Sequence, residues 1–272
     1  MKQRVITAIV LVLCAIPVCI FSGTVIFPIA MAFIGFMGIY EMLGCMKVRD
    51  NLLLSVPLYL LAVVCPFAVR YFGDFLRENA HILILVLLTY ALYLLGVWVF
   101  SYEKNQNVDM NPFLASTLIC LYIIGATSSI VIIRDLPYGA FYWYFIFIGA
   151  WVTDTFAYFS GMLFGKHKLI PNVSPKKTVE GSIGGTIFCM IFFVGYAAIL
   201  NAFTSADINL VTLACAGLVS AIVSQIGDLS MSVIKRTYGL KDYGKIFPGH
   251  GGVLDRFDSI LAVAIVIAIF LA

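Results

Sequence analysis

One stretch of this 272-residue chain, from Ser232 to Asp258, is rich in charged side chains and lies between two long apolar runs. Glycine and proline alternate with the charges there, and they suit a backbone that bends tightly and approaches a ligand closely. Cationic groups in such a loop can bind phosphates, and carboxylates can hold a divalent cation. The candidate residues of this stretch are Ser232, Lys235, Arg236, Lys241, His250, Gly251, Gly252, Asp255, Arg256 and Asp258.

Asp255 and Asp258 begin the last apolar segment and, three residues apart, share one face of a helix. Acidic residues in a first helical turn also favour the positive end of the helix dipole, which is the structural alternative. One aspartate would satisfy that role. Two, with Arg256 between them and His250 upstream, indicate a site for Mg²⁺, which takes one or two carboxylates and completes its shell with water and substrate phosphate.

Asp154 and Asp228 each lie inside an apolar segment. A carboxylate in the bilayer costs roughly 3 kcal/mol, so it normally faces a polar cavity and has a partner. Asp228 shares a helical face with Gln225, Ser232 and Lys235, which predicts a polar face lining a cavity open to the cytoplasm. The structural alternative is an ion pair, for instance between Asp228 and Lys235.

A second basic stretch, residues 164–182, combines paired lysines with hydroxyl groups. Its candidate phosphate-binding residues are Ser174, Lys176, Lys177, Thr178 and Ser182. The alternative is a basic surface attracted to anionic lipid headgroups. Paired ammonium groups flanked by hydroxyls are denser than that surface requires, so a phosphate cradle is predicted. We interpret Gly181, Gly184 and Gly185 as sites of close helix packing.

The composition identifies the elements that must position these groups. The chain is 62% hydrophobic and 11% charged, whereas soluble domains carry about a quarter charged residues. We predict an all-α, polytopic integral membrane protein with about nine transmembrane helices. The predicted spans are 5–21, 24–43, 52–70, 81–101, 113–133, 139–163, 183–203, 209–233 and 254–271. A short Ser-Gly-Thr turn separates the first two, so one broken segment or a re-entrant pair is the alternative there.

The positive charges predict the orientation of these spans. If the N-terminus is cytoplasmic and every span crosses, the far side holds only Arg70, Arg77 and Arg134 of the 17 lysines and arginines. This bias is what the positive-inside rule requires. It predicts that the charged loops 164–182 and 234–253 lie on the cytoplasmic face of the cell membrane.

The distribution of charge also predicts two regions. Residues 1–135 read as a transmembrane scaffold. Residues 136–272 form a transmembrane catalytic region, since they contain both charged loops.

The charged stretch resembles the signature of the phosphatidate cytidylyltransferase (CDP-diacylglycerol synthase) family. The matching residues are Ser232, Lys235-Arg236, Lys241-Asp242, Pro248, His250-Gly251-Gly252 and Asp255-Arg256-x-Asp258. The blocks Asp154–Tyr158, Ser174–Gly181 and Gln225–Leu229 also look like those of the family. The resemblance covers roughly residues 150–258, and the N-terminal half is similar in hydropathy only.

The resemblance implies an enzyme of phospholipid biosynthesis, a nucleotidyltransferase that converts CTP and phosphatidate to CDP-diacylglycerol and pyrophosphate with Mg²⁺. It also implies a multi-pass protein that forms a homodimer. Its expected partners are CTP, phosphatidate and membrane lipids, without nucleic acid.

The expected mechanism is in-line attack of an anionic phosphatidate oxygen on the α-phosphorus of CTP. Positioning and charge stabilisation then matter more than a strong base. The expected catalytic residues are Asp228, Lys235, Arg236, Asp255 and Arg256, and the expected ligands of one or two cations are Asp228, Asp255 and Asp258. The expected substrate-binding residues are Asp154, Ser174, Lys176, Lys177, Thr178, Ser182, Ser232, Lys241, His250, Gly251 and Gly252.

Two other functions remain open on the sequence. Another CTP-dependent membrane enzyme, acting on an archaeal ether lipid or a polyprenol, would share intramembrane acids and basic loops, but the full 232–258 signature argues against it. An ion-coupled transporter would use Asp154 and Asp228 as coupling residues. Transporters usually place such sites midway across the membrane, often with broken helices and repeats, whereas these charges gather at one face.

Overall fold

The computed structural model describes residues 2–104 and 110–271, and helices form nearly all of it. The first half contains α1 (Lys2–Ile20), α2 (Ile26–Cys45), α3 (Leu52–Glu78), α4 (Ala80–Lys104) and α5 (Met110–Asp135). The second half contains α6 (Gly139–Tyr142), α7 (Tyr144–Phe147), a π-helical turn (Ile148–Val152), α8 (Thr153–Phe164), β1 (Lys168–Ile170), β2 (Ser174–Thr178), α9 (Val179–Phe203), α10 (Leu210–Thr237) and α11 (Leu254–Leu271). The all-α prediction is confirmed, with one small antiparallel hairpin added.

Several helices are suited to a bilayer. Within the described ranges, six helical segments are long and apolar enough to cross a membrane, which confirms a polytopic membrane protein. They are Ile26–Cys45, Leu52–Glu78, Asn111–Asp135, Gly139–Phe164, Val179–Phe203 and Leu210–Thr237. Shorter apolar stretches lie in α1 and α4. The count of nine spans stays a prediction.

The predicted helix over 139–163 is broken into α6, α7, the π-helical turn and α8. Tyr138, whose φ of 60° is left-handed, precedes α6, and Trp143 separates α6 from α7. The π-helical turn contains Gly149, where an added Cβ would lie 2.7 Å from Cγ1 of Val263 in α11. This turn thereby brings the backbone close to α11, which carries part of the charged stretch.

Two arginines join three helices at one end of the bundle. Nη2 of Arg70 donates to the carbonyl of Gly23 at 2.6 Å, and Nη1 pairs with Asp135 at 2.9 Å. Nε of Arg134 donates to the hydroxyl of Ser22 at 2.9 Å. The turn between α1 and α2 is therefore held against α3 and the end of α5.

Helix α1 connects this end of the bundle to the charged stretch. The hydroxyl of Thr7, near its start, donates to the carbonyl of Pro248 at 2.9 Å, whereas its last turn leads to Ser22 and Gly23. Helix α1 therefore runs from the charged stretch to this end of the bundle, and its full crossing of the membrane stays a prediction.

Helix α11 lies between two buried apolar clusters. Val263 and Ile267 belong to a cluster with α2, α5, α7, the π-helical turn, α9 and α10, and Leu254 and Leu261 belong to a second cluster with α2–α5 and α10. Each cluster draws on both halves of the chain. The boundary at residue 135 stays a prediction from the sequence.

Small residues let α8 and α9 approach closely. A Cβ at Gly185 would lie 2.6 Å from the carbonyl oxygen of Thr153, and one at Gly184 would collide with the Ser160 side chain. The predicted role of these glycines in helix packing is confirmed. Their contact fixes the hairpin, which lies between the two helices, beside α10.

Candidate active site

Lys235 and Arg236 lie on α10, because the helix continues to Thr237. The prediction that the charged loop starts at residue 234 is therefore wrong by about one turn. Cationic groups stabilise the negative end of a helix dipole, which explains why the helix extends beyond its apolar segment. The guanidinium of Arg236 is turned toward its own loop, where Nη1 donates to the carbonyl of Leu240 at 3.3 Å.

Asp255 organises the loop between α10 and α11. Its Oδ1 pairs with Nζ of Lys235 at 2.6 Å, and its Oδ2 accepts the backbone amides of Tyr243 at 2.8 Å and Gly252 at 2.9 Å. Only 2% of its side chain is exposed. Both carboxylate oxygens are thus occupied by protein donors, which favours a positioning role over the predicted metal binding.

The same loop turns on two glycines with left-handed backbones, Gly249 (φ 78°) and Gly251 (φ 86°). The amide of Phe247 donates to the carbonyl of Gly251 at 3.0 Å and closes the turn. A Cβ at Gly251 would also lie 2.7 Å from Oδ2 of Asp255. Both the backbone conformation and the space therefore require glycine here.

Tyr243 anchors the loop from its other side. Its hydroxyl donates to the carbonyl of Met231 at 2.9 Å, and Nζ of Lys235 lies 5.2 Å from the centre of its ring. Burial raises the pKa of the Tyr243 phenol, so the group stays a neutral donor.

A cleft of about 750 Å³ opens on the outer side of this loop. Its ionisable lining residues are Lys241, Asp242, Lys245, His250 and Arg256, so cations outnumber the single carboxylate. Nδ1 of His250 is buried and, among the described residues, has no hydrogen-bond partner. The cleft thus has the charge to bind an anionic ligand.

Asp154, Asp228 and Asp258 form a second feature, an acidic cluster between α8, α10 and α11. Their charges are close enough to act on one another. Lys177 of the hairpin forms an ion pair with Asp228, and its charge also acts on Asp154. Two ammonium groups, of which Lys235 is already paired with Asp255, therefore act on three carboxylates, an arrangement that favours binding a further cation.

The acidic cluster fits Mg²⁺ as a shared ligand of protein and substrate. Within the described part of the chain, no group of three or more His, Cys, Asp or Glu side chains is arranged to hold a metal ion by itself. Mg²⁺ usually takes one or two carboxylates and completes its octahedron with water and phosphate. Asp228 and Asp258 can supply these, whereas Asp255 is already engaged.

The suggested ion pair between Asp228 and Lys235 is wrong. Each residue pairs elsewhere, Asp228 with Lys177 and Lys235 with Asp255. Gln225, on the same face of α10, is buried, and its side-chain amide donates to the carbonyl of Ala221 at 3.1 Å. The hairpin and α11 therefore each supply a partner to one charged residue of the predicted polar face.

The hairpin is fixed at its base by α9. Oγ1 of Thr178 accepts the amide of Gly181 at 3.1 Å and caps the helix, a role that the prediction of phosphate binding did not include. Oε1 of Glu180 lies 2.6 Å from Nδ1 of His167, so this contact links the residue before β1 to α9. Lys177 is thereby held toward Asp228.

The remaining predicted residues lie around these two features. Lys176 is exposed on the hairpin, while Ser174, Ser182 and Ser232 are half-buried on β2, α9 and α10. Gly251 lines the cleft, and Gly252 lies behind it.

Sequence reasoning missed Glu41, a buried glutamate of α2. Its Oε1 accepts the amide of Val253 and its Oε2 that of Leu254, each at 2.9 Å, so that it caps the start of α11. An ionisable residue inside the predicted second span was the available signal.

Comparison with known proteins identifies the class of enzyme to which the chain belongs. Residues 2–272 match the cytidylyltransferase family, so the chain belongs to this family and is a nucleotidyltransferase.

The curated relatives narrow this class. The chain is 34% identical to the phosphatidate cytidylyltransferase of Staphylococcus haemolyticus over 97% of this chain and 96% of that protein. It is 34% identical to that of Bacillus subtilis (97% and 94%) and 30% identical to that of Haemophilus influenzae (96% and 95%). The predicted resemblance to the phosphatidate cytidylyltransferase family is confirmed.

Proposed function

We propose that this protein transfers the cytidylyl group of CTP to phosphatidate and releases pyrophosphate. The observation that carries this function is a cationic cleft beside an acidic cluster held by membrane-crossing helices. The names of the relatives supply the substrates. Phosphatidate keeps its chains in the bilayer and its phosphate at the interface, where a water-soluble nucleotide can meet it.

The cleft suits the triphosphate of CTP. Lys241, Lys245 and Arg256 bring positive charge, and the His250 side chain lines the same cleft. Arg256 and Asp258 are two residues apart on α11 and thus point to different sides of the helix. Lys235 connects these sides, because it pairs with Asp255 while its charge also acts on Asp258. The triphosphate would extend past Lys235 toward the acidic cluster.

The reaction forms a bond between a phosphatidate oxygen and the α-phosphorus of CTP and breaks the bond from that phosphorus to the β-phosphate bridge. The attacking oxygen is already anionic at neutral pH, so this chain must position and neutralise rather than deprotonate. Lys177 and Lys235 would hold the phosphates in line. Mg²⁺ bound by Asp228 and Asp258 would offset charge on the reacting phosphates.

The active site would face the cytoplasm, where CTP is found, and the positive-inside bias supports this side. The family resemblance is the support for a homodimer. An ion-coupled transporter is not favoured, because the matched family and the named relatives are transferases.

Phosphatidate-dependent pyrophosphate release from CTP tests the function. Asp228→Asn should lower kcat by about 100-fold or more, the usual effect of removing an electrostatic group at a reacting centre. Asp74→Asn, an exposed aspartate on α3, is the matched control and should behave as wild type. Near-normal turnover in Asp228→Asn would refute the role of the acidic cluster. A panel of lipid acceptors decides between phosphatidate and another lipid.

The cleft needs its own test. Lys241→Met should raise the KM for CTP about tenfold through loss of one charged hydrogen bond, with the KM for phosphatidate unchanged. Arg77→Met removes an exposed cation on α3 and serves as the control. An unchanged KM for CTP in Lys241→Met would place the nucleotide outside the cleft.

A further inference from the structure

We propose that Glu41 is a positioning residue for nucleotide binding, through which the N-terminal half holds the cleft in shape. This inference rests on the proposed function, since it takes the cleft to be the CTP site. Glu41 does not line the cleft, and it acts on the loop behind it. It belongs to α2, a helix outside the region of the family signature.

The contacts of Glu41 replace a missing helix cap. The first amides of a helix have no partner within the helix, and Ser, Thr, Asp or Asn normally caps them. Helix α11 begins at Leu254 after Gly252 and Val253, and neither of these side chains can accept a hydrogen bond. Glu41 supplies both acceptors at 2.9 Å from 212 residues away, and its negative charge faces the positive end of the helix.

The two ends of the cleft loop also pack directly against this carboxylate. A Cβ at Gly252 would lie 2.5 Å from Oε2, and one at Gly244 would lie 2.9 Å from Cδ. Gly244 itself lines the cleft. Glu41 therefore sets the distance between the loop segments at Gly244 and Gly252, as well as the start of α11.

A catalytic role does not fit this geometry. Only 4% of Glu41 is exposed, and each of its oxygens is engaged by a backbone amide. A glutamine has the same size but only one acceptor, and its NH₂ group would face an amide donor. The exchange therefore disturbs the loop without leaving a cavity.

The test is steady-state kinetics of purified full-length Glu41→Gln in lipid-detergent micelles, with CTP and phosphatidate varied separately. We expect the KM for CTP to rise about 10- to 100-fold, the range for lost hydrogen bonds that orient functional groups. The KM for phosphatidate should stay within about twofold of wild type, since the lipid does not depend on the loop. Glu78→Gln, an exposed glutamate at the end of α3, is the control.

Gly252→Ala provides a second route, because the added methyl group would press on the same carboxylate. It should raise the KM for CTP in the same way. An unchanged KM for CTP in Glu41→Gln, or an equal loss toward both substrates with a lowered Tm, would overturn the inference. Wild-type enzyme without phosphatidate-dependent turnover would instead overturn the proposed function, so the two failures are distinguishable.

Discussion

Asp255→Asn is the substitution that best separates the two roles open to this residue. The wild-type carboxylate accepts from the Lys235 ammonium and from two backbone amides. Asparagine has one acceptor and one NH₂ group, so at least one donor would face another donor. The ammonium of Lys235, whose side chain is 11% exposed, would remain buried without a counterion.

The expected cost follows from these contacts. Removing one partner of a buried ion pair costs about 3–5 kcal/mol, and a buried amide left unsatisfied about 1–3 kcal/mol. Against a total stability of about 5–15 kcal/mol, this amount would loosen the loop or unfold part of the protein. Lys235→Met removes the other partner of the pair. The double variant should be less destabilised than the sum of the single ones by about 2 kcal/mol, because the two residues interact directly.

The free energy of unfolding can be measured by reversible denaturation in mixed micelles, followed by tryptophan fluorescence. The Mg²⁺ concentration for half-maximal activity is the second readout. In a positioning role, Asp255→Asn lowers stability and leaves this concentration unchanged in the folded fraction, whereas Asp258→Asn raises it. Asp74→Asn controls for the loss of a surface charge. Wild-type stability together with a raised Mg²⁺ requirement in Asp255→Asn would refute the reasoning and restore Asp255 as a metal ligand.

Three further substitutions examine other contacts. Lys177→Met should reduce kcat about tenfold or more, since it leaves Asp228 without its cation. Lys177→Arg should recover part of this activity. Equal rates in the two variants would exclude an effect of the charge. Thr178→Ala should lower the free energy of unfolding by about 1 kcal/mol through loss of a helix cap, and Thr178→Ser should be near wild type. A raised KM for CTP in Thr178→Ala would instead indicate contact with the substrate. Arg70→Met should cost about 1–2 kcal/mol of stability at the opposite end of the bundle, through loss of hydrogen bonds and a partly exposed ion pair, while kcat per folded molecule stays constant.

The sequence was sufficient for the class of fold, because composition carries that information directly, whereas the roles of the site residues stay predictions. It was not sufficient for the partner of each charge. Spacing along α10 suggested a pair between Asp228 and Lys235, but Lys177 and Asp255 compete for them from a hairpin and another helix. Such pairings depend on how helices dock, which local periodicity does not encode.

The different surroundings of Asp255 and Asp258 could likewise not be predicted from the sequence. They share a helical face and looked equivalent as metal ligands. The loop folds back so that the amide of Tyr243, 12 residues earlier, reaches Asp255, while Asp258 faces the acidic cluster with Asp228. The difference arises from a tight turn that requires glycine at position 251, and only the three-dimensional structure shows which aspartate that turn encloses.

The carboxylates of this region therefore have two different roles. Glu41 and Asp255 accept four backbone amides and one ammonium group, and they hold a glycine-rich loop that has few apolar side chains to fix it. Flexible backbone of this kind loses much conformational entropy on ordering, so charged acceptors are needed to hold it. Asp228 pairs with Lys177, whereas Asp154 and Asp258 have no ion-pair partner among the described residues, so the acidic cluster keeps an excess of negative charge. An excess of negative charge next to a cationic cleft is what a site for a cation shared with a polyanionic substrate requires.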